Sequence, residues 1–152
     1  MKLLDDVLRY ENEEVVHRFA ADHGISYADA SEIFLETKRW LWLSATHRSL
    51  ALPLFSEARA IDEMWHTFLL FSRDYATFCD ESFGFFVHHA PRTKREKDEW
   101  DAKIAADPEG ARAERREKLR AAYLVVADEL GTATLKKWCE EFPARFRFAA
   151  AK

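Results

Sequence analysis

A chain of 152 residues, 48% hydrophobic and 33% charged, is the size of one domain and can bury a core while staying dissolved. Its formal net charge of −4 leaves no electrostatic footprint for nucleic acid, and the mild acidity reads as solubility. Four Gly and four Pro are too few for a fold of many turns, whereas 12 Phe, 5 Trp and 4 Tyr make aromatics plentiful.

Cys79 and Cys139 form neither a disulfide framework nor a CxxC pair, and read as free thiols of a reducing compartment. The opening Met1-Lys2-Leu3-Leu4-Asp5-Asp6 breaks its apolar run with acids, unlike a signal peptide. No apolar stretch reaches the roughly 20 residues that span a bilayer. A cytoplasmic protein with no membrane partner is the expectation.

In chain order, the first helix is predicted over residues 4–22. Leu4, Val7, Leu8, Val15 and Phe19 recur at helical spacing, and Gly24 stops it. Ser26 then serves as an N-cap, with Asp29 in the capping-box position. The second helix runs to about Ser44 and buries Ile33, Phe34, Trp40 and Leu41, until Pro53 breaks the pattern. A third helix starts near Ser56 or Glu57, passes Phe71 and continues with a bend to Phe83, where Gly84 ends it. The short segment Phe85-Phe86-Val87-His88-His89 follows, turned by Pro91. Lys94 to Ala106 reads as an exposed helix. Asp107 caps a long one, with Pro108 at its first position and Gly131 after Leu130. Thr132 caps a last helix from Ala133 to Glu141, stopped before Pro143. Arg112, Arg115, Arg116, Lys118 and Arg120 are interleaved with Glu114 and Glu117, the pattern of a solvated helix face. The expected fold is all-α: one domain over residues 1–152, an irregular bundle of five or six helices packed on the third.

That third helix carries the chemistry. Ile61, Met64, Trp65, Phe68, Leu69 and Phe71 cover most of its circumference, so it should be buried. Yet Asp62, His66 and Arg73 fall on one stripe. Buried ionisable groups are costly unless paired or bound to a metal. Asp62 and His66, at i and i+4, can point at one object. His88 and His89 face opposite sides if their segment is extended, so one of the two can join them; the pattern alone does not say which. Asp62, His66 and one of these histidines form a 2-His-1-carboxylate set suited to non-haem iron or, with water, to zinc. Cys79 lies between the two groups; by default it is a buried small hydrophobe, with a ligand or redox role as the alternative. The bland alternative is an Asp–His pair that only locks the core. A di-iron reading on Glu14-Val15-Val16-His17 and Glu63-Met64-Trp65-His66 fails on the first match, because His17 projects with Asp6, Arg9 and Glu13 on a solvated face. His23 and His47 fall near helix ends and read as surface residues.

These residues carry a resemblance. Asp62-Glu63-Met64-Trp65-His66, Tyr75 with Phe78-Cys79, and Phe83-Gly84-Phe85-Phe86-Val87-His88-His89-Ala90-Pro91 resemble the linked blocks D-x-x-W-H, Y-x-x-F-C and F-G-x-F-x-H-H-x-P of the glycine-rich domain-containing protein-like family. The resemblance covers about 30 residues, and it favours His89 over His88. It implies a small helical domain and supplies no activity. Trp65 then reads as core packing, Tyr75 as support for the site, and Arg73 as a contact for an anionic substrate group or a salt-bridge partner.

Two functions follow as expectations. The first is a metalloprotein holding one divalent ion, iron or zinc, through Asp62, His66 and His89; as an enzyme it would activate water or dioxygen, as hydrolase or oxygenase. The second is a non-catalytic protein-interaction domain in which the Asp–His network is structural. The aromatic richness fits either a hydrophobic pocket or a homodimer interface.

Overall fold

The computed structural model describes residues 1–148. It is all-α: among the described residues no strand occurs, and six helices of eleven residues or more make an irregular bundle. The helices are α1 (Leu4–Leu8), α2 (Glu13–His23), α3 (Tyr27–Thr46), α4 (Arg59–Leu70), α5 (Ser72–Phe83), α6 (Lys94–Ala106), α7 (Pro108–Leu130), α8 (Thr132–Lys136) and α9 (Phe142–Arg145). None is long and apolar enough to cross a membrane.

The predicted first helix is in fact two. The chain leaves α1 at Arg9 and re-enters helix after Asn12, whose side chain caps α2 by accepting the Val15 N–H at 3.2 Å. The cause lies 28 to 30 residues away. Lys38 of α3 donates to the carbonyls of Leu8 (2.8 Å) and Tyr10 (2.5 Å), satisfying groups that the end of α1 leaves open. The break also drops the Tyr10 ring among Phe34, Phe68 and Phe78. Burial pushes the Lys38 ammonium down to about 8.

Helix α3 begins where predicted, with Ser26 accepting the Asp29 N–H at 3.0 Å. It buries Ile33, Phe34, Trp40 and Leu41, and also three polar side chains, Glu36, Thr37 and Lys38. Glu36 accepts a hydrogen bond from Trp138 Nε1 at 2.8 Å, tying the C-terminal helices to α3. A single contiguous core joins α2 to α5 with Trp138, Phe142 and Phe146.

The predicted third helix splits at Phe71 (φ −86°, ψ 61°) into α4 and α5, and Gly84 (φ 80°) closes α5 in the left-handed region. Helix α6 has a complete capping box between Thr93 and Glu96 but no buried residue; it packs against α7, to which Lys103 is paired through Glu114. Helix α7 is capped by Asp107 and ends at Gly131 as read from the sequence. The C-terminus departs from expectation. Gly131, not Thr132, is the cap residue, and helix continues through a π turn (Lys137–Glu141) into α9. The widened turn resets the register, so Pro143 falls in a first turn, where its missing N–H is not needed.

Candidate metal centre

Helix α4 is amphipathic rather than buried all round as its apolar count implies, with Leu70 exposed to solvent. Ile61, Met64, Trp65 and Phe68 turn into the core, which leaves Asp62 half-buried at the rim and His66 exposed one turn later. His66 Nδ1 lies 3.8 Å from Asp62 Oδ2. Such i, i+4 neighbours need no tertiary contact to meet. The third member comes from the segment after α5. His89 Nε2 lies 2.9 Å from Asp62 Oδ1, yet its N–H is not aligned on that oxygen as a directed hydrogen bond would require. One ligand atom from each of Asp62, His66 and His89 can be chosen so that all three lie within 4.8 Å of one another. Two ligands at about 2.1 Å from one ion are themselves about 3.0 to 3.4 Å apart, so the three side chains would draw together, by up to about 1.4 Å, to hold one.

Two side chains and one backbone carbonyl put His89 there. The Trp65 indole stacks on the His89 ring, with centroids 3.9 Å apart and planes inclined by 12°. Trp65 Nε1 donates to the Tyr75 hydroxyl at 2.9 Å, and that hydroxyl donates to the Val87 carbonyl at 2.5 Å. The chain is therefore clamped two residues before His89. Trp65, read from the sequence as core packing, is buried and also forms the wall on which His89 rests. Tyr75 is fully buried and its hydroxyl is held well above its ordinary value by that burial.

Electrostatics favour a charged carboxylate. Burial works against ionisation of Asp62, but the close approach of His89, with the charges of His66 and Arg59 nearby, outweighs it and holds the carboxyl below its ordinary value. An anionic oxygen facing two imidazoles is a donor set for a divalent ion.

The remaining candidates go elsewhere. His88 is exposed and its ring lies against Phe86, with centroids 4.8 Å apart. The bend after Phe71 carries Cys79 into the core rather than toward Asp62; burial pushes its thiol up, beside the Tyr75 hydroxyl and the backbone of Val87. Arg73 lies beyond the same break, is exposed, and is off the stripe that a continuous helix would have given it. Glu63 is taken by Arg59 at 2.7 Å, and His17 packs on Tyr27, with ring centroids 4.6 Å apart. His23 is sandwiched between Phe19 and Phe148, and His47 faces Glu129 at 3.4 Å.

Sequence reasoning missed the opening beside the site. Asp62, Trp65 and His89 form one wall of a cleft of about 830 Å³, whose other walls come from α3, residues 51–56, residues 85–92, Trp100 and α7. The site meets this cleft through Asp62 and His89, while His66 faces outward. The Trp40-x-x-x-Ser44 spacing on α3 was a usable signal, because it places two polar groups on one helix face.

Residues 7–104 match the family model UCP032817-like, and the chain belongs to that family. The family's description carries no activity, and it does not bear the glycine-rich domain name that the motif blocks suggested. The match contains Asp62, His66 and His89 and stops short of α7. No curated protein and no solved structure matches the chain.

Proposed function

We propose that this protein binds one divalent transition-metal ion through Asp62, His66 and His89, with iron and zinc as the candidate metals. The convergence of an acidic oxygen and two imidazole nitrogens within 4.8 Å carries the reading. Three protein ligands leave coordination positions for water or substrate, the arrangement of catalytic rather than structural sites. The buried Trp65–Tyr75–Val87 chain supports it further, because side chains behind a ligand that fix its ring are a usual part of a metal site. When bound, the metal would polarise water or dioxygen; the chain's own part is to hold His89 against Trp65 and to keep Asp62 ionised.

The Asp62–His89 approach at 2.9 Å also favours a second reading, an ion pair that locks residues 87–89 onto α4 in an interaction domain. Titration with Co²⁺ separates the two. The metal reading expects a visible absorption band from low-coordinate Co²⁺ that saturates at about one ion per chain and is lost in His66→Ala. The lock reading expects no band in either protein, since the exposed His66 does nothing for the lock.

A further inference from the structure

The cleft beside Asp62 and His89 has features that metal binding does not use. Its volume, about 830 Å³, is that of a small-molecule site. Arg48, Arg92, Arg115 and Lys118 line it, and among the described residues that do so Asp62 is the sole carboxylate. This concentration of positive charge stands on a chain whose formal net charge is −4. Among the described residues, no carboxylate lies within 4 Å of the guanidinium of Arg48, Arg92 or Arg115, whereas Lys118 is paired with Glu114 at 3.3 Å. Arg48 is held in place over the Phe85 ring, 4.5 Å from its centroid.

The wall supplied by α3 adds an independent observation. Trp40 is 1% exposed and lines the cleft, yet its indole Nε1 has no hydrogen-bond partner in the protein. Ser44, one turn on and also lining the cleft, has a buried hydroxyl in the same state. A buried donor without an acceptor is costly, so two together mark a place where an outside acceptor belongs. The lining also includes the aromatic side chains Phe55, Trp65 and Trp100.

We propose that this cleft binds a small organic anion, a carboxylate or phosphate carried on a flat apolar body, as the ligand presented to the Asp62–His66–His89 site. Guanidinium groups match either anion through paired N–H bonds. The indole of Trp40 and the hydroxyl of Ser44 supply donors, the aromatic wall takes the body, and Asp62 with His89 stands at the reactive end. As a statement about that site's ligand it rests on the metal reading; the cleft itself does not.

The test uses the full chain, Zn²⁺-loaded or stripped with EDTA, and follows the ¹⁵N-indole signal of Trp40, assigned with Trp40→Phe. The probes are phenyl phosphate, phenylacetate and the neutral phenylacetamide. The expected result is a saturable shift with at least one anion, none with the amide, and binding weakened at least about tenfold in the Arg48→Gln/Arg115→Gln double variant. Both substitutions are at exposed positions, and a thermal melt confirms folding. Phenyl phosphate alone or phenylacetate alone assigns the anion. Zinc binding without any anion-induced shift overturns the cleft inference and leaves the metal reading standing. An anion-induced shift in a protein that takes neither zinc nor iron upholds the cleft and overturns the metal reading. An equal response to the amide, or unchanged affinity in the double variant, also overturns the cleft.

Discussion

The indole of Trp65 and the imidazole of His89 are stacked nearly parallel, with centroids 3.9 Å apart. Twenty-four positions separate them in the chain, and the contact turns a residue of the α4 core face into a support for a ligand from another segment. Trp65→Leu should keep the helix folded, since leucine is a good helix former and stays apolar. It should weaken metal binding by about 10–100-fold, as removal of a supporting group does. Competition with a chelator measures this; affinity equal to wild type would mean that the stack is only packing.

Tyr75 joins Trp65 to Val87 through one hydroxyl. Tyr75→Phe removes only that oxygen and leaves a buried N–H and a buried carbonyl without partners. The expected loss is about 2–4 kcal/mol in urea unfolding. A loss below about 0.5 kcal/mol would show that the clamp does not hold the 85–89 segment.

Legibility from sequence followed distance along the chain. Asp62 and His66 could be paired because helical spacing alone brings them together. His89 required the motif resemblance, since an extended His88-His89 leaves the facing open. Lys38 broke the predicted first helix by capturing the Leu8 and Tyr10 carbonyls, a contact that no local pattern encodes. The cleft was illegible for the same reason: Trp40, Phe85 and Arg115 meet only once α3, the segment after α5 and α7 are packed together. The bend after Phe71 and a buried Cys79 were legible, but not that the bend takes Arg73 off the stripe.

Asp62 makes a specific pH dependence. Its folded-state value lies below its ordinary 3.8, so the folded protein binds that proton less readily than the unfolded chain. The carboxylate's contribution is therefore present above about 4 and is lost as pH falls through the lower folded value. In metal-free protein, Asp62→Asn should flatten the acid limb of the stability curve, read from urea midpoints across that range. An acid limb of unchanged slope would mean that other carboxylates carry it.

Both thiols are held protonated. Burial pushes Cys79 up, and burial with the nearby Glu57 and Glu140 pushes Cys139 up to about 11. Since the thiolate is the reacting form, iodoacetamide at neutral pH should label native protein far more slowly than urea-unfolded protein. Mass spectrometry after timed quenching shows this; rapid native labelling of Cys79 would reopen a redox or ligand role for it.

The most direct test of the central claim is elemental analysis of untagged wild-type protein beside His66→Ala and His89→Ala. The expected result is about one iron or zinc per chain in the wild type and well below that in both variants, all three remaining folded. A wild-type protein that stays empty after incubation with each metal, or variants that retain a full complement, would contradict it.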